Sequence, residues 1–591
     1  MRPVAIDDCG LRIGDWAKHP IVNLQSSICN RQFLCLFMLL SVLAGPPPVV
    51  IGQPTTPAVQ RLRGIIDQDQ TWSGLILITD DLLIQDATVT ITAGTTVEFA
   101  YKSPGHHPTL TVGSADRSGG YLKLLGTGEK PVTFRTRPDT NPGRLVINVR
   151  SRIVPAEAGA SDPLKLTPSE YTPSDVTWQH VRFEDLGYSL TRQSGEREAR
   201  LAEPAVTFNM IGAAHTLGVV SCTFENTTRL LVRAADGARI TITANRFDRP
   251  KQRASLEIFG HEGAAPAGAI TITRNSLAAG IRLNAATATI ANNVLIGPDA
   301  AIVIQEDDSS ETQITENYIH NTTQEDDGHY CLKCGNPNAL IKGNIFRGGS
   351  YCVYYGSRRM SGNVFIAASS LSGRLVKKAR THQLVHALPP GATFERNLLL
   401  GPAYSLLMPQ PHEWLHREEK ATNPTIVQHN LFDGFSDSNR AVHLNPLGRT
   451  QVPVAVLNNL FLRVPSLVYD EGKTGTALTY ADHNAVAPPA PRAFDQIKIS
   501  GLNRGDPGWG ANDVQCSDVA SLGLAAPFRR PVPNYDAEIQ ARKISVGRLR
   551  EQLFSAYRPM PHSSLVRAGR PHSVAGTDTP PSIGPSEPTE K

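Results

Sequence analysis

At 591 residues the chain is long enough for several ordinary domains or for one elongated repeat array. Charged residues make up 19 % and the formal net charge is +4, so the chain lacks the basic footprint of a nucleic-acid binder. With 48 glycines, 44 prolines and 6 % aromatics, the composition favours many short, turn-bounded strands over helices.

The first element is an address. Arg31 leads into FLCLFMLLSVLA, residues 33–44, followed by GPPPVVIGQ. That apolar run is too short to span a bilayer comfortably and fits a signal-peptide core, with Val42 and Ala44 meeting the small-residue rule for cleavage. The segment 1–52 is therefore read as a signal peptide with an extended n-region; an uncleaved anchor is the other reading. No later window is apolar enough to cross a membrane. The expected product is secreted or extracytoplasmic, in the periplasm or at the cell surface, without a stable membrane span. Cys222, Cys331, Cys334, Cys352 and Cys516 remain after the leader, an odd number that excludes complete intramolecular pairing.

From residue 53 to 530 one short pattern recurs. ITITANRF at 240, ITITRNSL at 270, TATIANNVL ending at Leu295, TQITENYI, ALIKGNIF at 339 and RRMSGNVF at 358 each place a strand before an Asn and apolar residues after it. ATFERNLL at 392, TIVQHNLF at 425, VAVLNNLF at 454 and TYADHNAV at 479 continue the series. The Asn positions are 245, 275, 293, 317, 344, 363, 397, 430, 459 and 484, spaced 18 to 34 residues apart. WQHVRF and VVSCTF look like earlier copies with Val181 and Cys222 in the Asn place. An irregular period built on strands predicts a β-solenoid, because varying coil length is absorbed by outside loops while strand register survives. Alternating residues such as Ile240 and Ile242 would point into a narrow core. An inward Asn on each coil would stack on the next, forming an amide ladder along the axis.

These strands resemble those of right-handed parallel β-helix, pectin-lyase-like proteins. TWSGLILITDDLLIQDATVTITAGTTVEF from Thr71 resembles the first coil of secreted bacterial members, and YRPMPHSSLVRAGRP from Tyr557 their closing segment. The resemblance covers roughly residues 65–570 and implies an all-β solenoid with an N-terminal cap and a small C-terminal capping segment, 531–570. It implies action on polysaccharide less specifically, because the repeat encodes architecture. The ordered NTD, GHG and RIK motifs of polygalacturonases and the vWiDH-like segment of pectate lyases are missing.

Two stretches, 185–204 and 366–391, read as insertions between coils. The word QEDD occurs at 305–308 and again at 324–327. The first follows the strand AAIVI and the second precedes YCLK, expected one coil further on, so the words sit at opposite strand ends. Their separation of about 15 Å is too large for a glycosidase carboxyl pair. They read as solvated turns, or as a calcium site formed by Glu306, Asp307 and Asp308 with loop carbonyls. No cofactor is required by this reading, and calcium is the optional one.

HYCLKCG from His329 and SYCVYYG from Ser350 align at an offset of 21 residues. In register, Tyr330 meets Tyr351, Lys333 meets Tyr354, Cys334 meets Tyr355, and Cys331 meets Cys352 at disulfide range. A zinc set of His329, Cys331, Cys334 and Cys352 has suitable ligand types but splits across opposite strand faces. Lys333 and Tyr354, with Arg358 at the margin and Arg374, Lys377 and Lys378 in the next insertion, would make a cationic, tyrosine-bearing surface suited to an acidic polysaccharide. β-Elimination of a uronide needs a carboxylate partner, a base and a donor to the leaving oxygen. Several β-helix lyase families use Lys or Arg as base. By that resemblance Lys333 would be base, Tyr354 donor and Arg358 the carboxylate clamp, with Tyr330, Tyr351, Arg374, Lys377 and Lys378 binding substrate; no lyase motif matches these positions. The bland reading is a structurally satisfied Tyr/Cys/Lys stack.

PHEWLHREEK contains His412, Glu413 and His416 in H-E-x-x-H spacing, which on a helix places two zinc ligands one turn apart. No third ligand follows, so a zinc hydrolase is the remote alternative. Further on, NYDAEIQARKISVGRLREQLFSAY from Asn534 is expected to form a helix over the open end of the solenoid. Residues 571–591 are Pro/Ser/Thr-rich and expected to be a disordered tail. The functional expectation is a monomeric, exported protein acting on or binding an acidic polysaccharide. A non-catalytic surface or envelope scaffold or adhesion protein is the alternative.

Overall fold

The computed structural model describes residues 59–103, 105–113, 119–150, 175–194, 197–211, 215–234, 237–248, 250, 254–260, 268–284, 288–305, 312–323, 329–367, 383–409, 423–435, 440–444, 452–470, 478–488, 505–529, 532–569 and 583–585. The signal segment, the triplet Glu306, Asp307 and Asp308, the cations Arg374, Lys377 and Lys378, and the zinc candidates His412, Glu413 and His416 lie outside these residues.

The repeat folds as the right-handed parallel β-helix expected of it. Each coil contributes one strand to each of three faces. Face one is the three-stranded sheet of Gln70–Trp72, Thr88–Ile91 and Tyr121–Leu124 in the first coils, then the twelve-stranded sheet from Asp175–Gln179 to Leu478–Asp482. Faces two and three belong to one thirty-stranded sheet, joined in the first coil by Leu75–Ile84, which pairs with strands of both. Face two holds the short strands directly after each Asn, such as Arg246–Asp248 and Val364–Ile366. Face three holds the strands that close each coil, such as Ala254–Gly260, Tyr330–Cys334 and Tyr351–Tyr355. The strand Gln60–Ile66 pairs with Leu75–Ile84 at the N-terminal end, and its exposed Arg61 and Arg63 are the kind of charge that blunts an edge.

Register explains the core. On face one, Ile242, Ile272, Ile290, Ile314, Ile341, Met360, Phe394 and Val427 form one inward column, each paired with the next. All are buried, whereas the intervening Thr241 is exposed. Aromatic columns fill the same interior, with Phe224 and Phe247 stacked at 4.4 Å and Phe432 and Phe461 at 5.0 Å. At the C-terminal end Trp509 bridges to Ala481 and closes the core.

The amide ladder is continuous over all ten positions. Asn245 Nδ2 donates to Asn275 Oδ1 at 3.0 Å, and the same bond repeats through Asn293, Asn317, Asn344, Asn363, Asn397, Asn430, Asn459 and Asn484 at 3.0–3.2 Å. Each backbone N–H also donates to the next Oδ1, and at the end the Asn484 amide passes to Asp513 Oδ1 at 2.8 Å. Cys222 sits at the ladder's first rung, its amide donating to Asn245 Oδ1. The residue before each Asn turns the corner with positive φ, as in Ala244 (58°) and Gly343 (71°).

The insertion 185–204 carries an antiparallel hairpin, Tyr188–Ser194 against Arg197–Glu203. The expected insertion 366–391 is corrected at both ends, where Ile366 closes the face-two strand Val364–Ile366 and Gln383–Val385 is a face-three strand. The C-terminal segment is helical at Asp536–Gln540 and Val546–Ala556, yet it does not cover the end of the solenoid. It lies along the outside of face two, where Ile539, Leu549, Leu553 and Tyr557 pack on Tyr318, Ile345, Val364 and Leu398. Burial explains the choice: the face-two strands Val364–Ile366, Leu398–Leu400 and Leu460–Leu462 are apolar on every residue and buried on both sides. Within the expected tail, Ile583 is buried and its amide donates to the Leu565 carbonyl at 3.0 Å.

Candidate functional site

The Tyr/Cys/Lys coils lie on face three, stacked as expected on Ile302–Ile304, with Val303 opposite Lys333. Tyr330 pairs with Tyr351 and Leu332 with Val353, but the register then slips and Lys333 pairs with Tyr355. The expected pairing of Lys333 with Tyr354 is therefore corrected to a bulge that leaves Tyr354 as the extra residue. Bulges re-aim side chains, and here Tyr354 becomes the middle ring of a stack. Its centroid is 5.9 Å from Tyr330 on the coil below and 4.9 Å from His386 on the coil above, the latter parallel within 3°. Tyr351 and Tyr355 flank it at 5.0 and 4.3 Å. The Lys333 ammonium sits 5.9 Å from the Tyr354 ring centre and 5.4 Å from that of Tyr355. Tyr330, Lys333, Tyr351 and Tyr354 are half-buried on the outer surface.

Arg358 is placed differently. It lies past the strand, at the turn toward face one, where its Nη1 donates to Asn338 Oδ1 at 2.7 Å and its Nε to the Pro390 carbonyl at 3.4 Å. These bonds tie adjacent coils together.

The cysteines point inward. Cys331 and Cys352 are neighbours in the core and both are free thiols. Burial pushes the Cys352 thiol well up, and a hydrogen bond with Cys331 adds to the shift. Cys334 is also buried, which pushes it up to about 12. His329 instead faces Asp299, Nδ1 to Oδ1 at 3.0 Å. The proposed zinc set is thus dispersed. Among the described residues, Asp80, Asp81 and His106 do converge, their ligand atoms within 4.8 Å of one another. They form an ordinary histidine–carboxylate contact, His106 Nε2 to Asp80 at 3.2 Å, near the N-terminal end.

The face-three cluster continues along the axis through residues that motif reading missed. Tyr351, Gln383, Ser405 and Arg440 are register partners on successive coils. The Arg440 guanidinium lies 3.6 Å from the Tyr469 ring centre and 4.8 Å from that of Tyr404. Its Nη1 is 3.1 Å from His443 Nε2. The signal lay in aligning SLL, RAVHL and LVYD by their buried apolar residues, which places His443 opposite Tyr469.

A separate groove of about 400 Å³ opens on the uncovered part of face two, lined by His180, Arg182, Thr223, Glu225, Arg246 and Asp248 among others. Its charges are already paired, Arg182 with Glu184 and Glu225 and Arg246 with Asp248. A lining that neutralises itself offers a ligand less than the aromatic surface with its lysine, so face three is the stronger candidate.

No family model matches the chain, and no curated protein is similar to it. Among solved structures, it is similar to a PL6 family polysaccharide lyase from Pseudopedobacter saltans. The identity is 10 % over 75 % of this chain and 92 % of that chain, with a TM-score of 0.26.

Proposed function

We propose that the protein is exported and acts on an acidic polysaccharide laid along face three, by β-elimination at a uronide. The observation that carries this reading is the Tyr330–Tyr354–His386 stack with the Lys333 ammonium at its edge. A stacked set of rings is a rigid, low-entropy surface whose hydroxyl-bearing edges can meet sugar hydroxyls, and a cation beside it selects anionic sugars. Among the described residues Lys333 has no carboxylate partner, so its amine is available to a ligand. In this reading Lys333 removes the carbon acid's proton and the Tyr354 hydroxyl protonates the departing oxygen. Arg358 fills the role of carboxylate partner less well, since its guanidinium already bonds Asn338 and Pro390.

The test is incubation of the mature chain with alginate, pectate and chondroitin, with and without calcium, following the ultraviolet absorbance of unsaturated uronide. A rise abolished by Lys333→Ala supports the reading. A flat trace on every substrate, with no binding, turns the molecule into a scaffold and the stack into architecture.

A further inference from the structure

Arg440 and Lys333 stand on the same outer face, four coils apart: Lys333 lies on the coil of Tyr330, and the rungs from there run Tyr351, Gln383, Ser405, Arg440. At the parallel-strand spacing this is about 19 Å. Both cations are held by aromatic rings, and among the described residues neither has a carboxylate partner. Arg463 of the same array, by contrast, is paired with Asp433. Arg440 is held instead between Tyr404 and Tyr469, its plane fixed and its nitrogen edge directed by His443. A planar fork fixed in this way is suited to a planar carboxylate.

We infer that Arg440, with Tyr404, His443 and Tyr469, forms a second anionic-sugar subsite, which binds a carboxylate of the same glycan chain about four sugar units from the one at Lys333. The inference rests on the proposed function and adds to it a minimum substrate length and a direction along the axis. One rung of the solenoid is close to the length of one pyranose unit in a linear chain.

The test is calorimetry on the full chain with oligogalacturonides and oligomannuronates, comparing di- and trisaccharides with hexa- and octasaccharides. Wild type should bind the long oligomers more tightly than the short ones. Arg440→Gln should weaken only the long ones, by about tenfold, the size of one charge-assisted hydrogen bond. Arg440→Lys, which keeps the charge and loses the fork, should fall between, and it serves if the Gln variant misfolds. Equal affinities for wild type and Arg440→Gln at every length overturn the subsite while leaving the function intact. Loss of short and long ligands alike in both variants also overturns it, because Arg440 would then act through the fold. Absence of binding by wild type at all lengths overturns the proposed function and the subsite with it.

Discussion

The Tyr557 hydroxyl donates to Asp433 Oδ2 at 2.9 Å, joining the C-terminal segment to a carboxylate 124 residues earlier. Both side chains are fully buried. Burial pushes the Asp433 carboxyl above its usual range, while the Arg463 guanidinium, bonded to both of its oxygens, pulls it back. Arg463 also donates to the Phe528 carbonyl at 2.6 Å, so one buried ion pair holds both the segment and the chain leading into it.

Removing members of this group should release the segment in a fixed order. Tyr557→Phe leaves the ion pair intact and should cost about 1–2 kcal/mol. Asp433→Ala strands the arginine without its partner and should cost about 3–5 kcal/mol. Limited proteolysis should cut first within residues 532–569 in both variants, faster in the second. Equal resistance of both variants and wild type would show that the apolar contacts alone hold the segment.

The other end of the segment is fastened by Asp536, which accepts from Tyr318 at 2.8 Å and meets His320 Nδ1 at 2.8–2.9 Å. Burial works to raise this carboxyl, but the bonds from His320, Tyr318 and Asn534 outweigh it and hold the group below its ordinary value. Such a group contributes stability that is fully present above the unfolded value and is lost as pH falls through the folded one. The segment should therefore stay docked at neutral pH and begin to loosen below about pH 4, the ordinary carboxylate range. Hydrogen exchange of Asp536–Gln540 across a pH series checks this, and Asp536→Asn should flatten the acid limb. An onset between pH 5 and 7 that persists in that variant would assign the linkage elsewhere.

The ladder offers a sharper stability test. Asn344 Oδ1 accepts from both the backbone and the side-chain nitrogen of Asn317, and its Nδ2 donates to Asn363 and to the Ile314 carbonyl. Asn344→Ala would leave two buried donors of Asn317 without an acceptor, at a cost of about 2–4 kcal/mol. Thermal melting should show the drop, and Asn245→Ala should cost less. That rung sits at the end of the ladder, below the Cys222 amide, and orphans one donor there. Equal effects would mean the rungs do not support one another.

These relationships were unequally visible in the amino-acid sequence. Asn245 to Asn484 could be read directly, because a buried amide that must stack on its neighbour allows one residue type at one place in every coil. The docking of the C-terminal helices was written in Val364–Ile366, Leu398–Leu400 and Leu460–Leu462. A solenoid strand exposed on one side alternates, and these do not, so something must cover them. That signal is easily taken for ordinary core. The slip at Lys333 had no signal, since CLKCG and CVYYG align without a gap and the bulge shows only in the pairing of Lys333 with Tyr355. Arg440 was hidden for another reason: its partners Tyr404 and Tyr469 come from the coils before and after it, and only stacking brings them together.

Tyr354 can serve as a platform, as a proton donor, or as both, and two substitutions separate the roles. Phenylalanine keeps the flat ring between Tyr330 and His386 and removes only the hydroxyl; alanine removes the ring as well. If the hydroxyl protonates the leaving oxygen, Tyr354→Phe should lower kcat by about 10²–10⁴-fold with little change in KM. Tyr354→Ala should then lose kcat and raise KM together, because the stack that positions the sugar is gone. If the ring is platform alone, the Phe variant should match wild type in both constants while the Ala variant binds more weakly. Initial rates on the substrate that responds in the absorbance assay decide between them. A Phe variant with full activity would remove Tyr354 from the chemistry and leave Lys333 in need of another proton donor, for which Tyr355, its ring 4.3 Å from that of Tyr354, and His386, at 4.9 Å, are neighbours of the right kind.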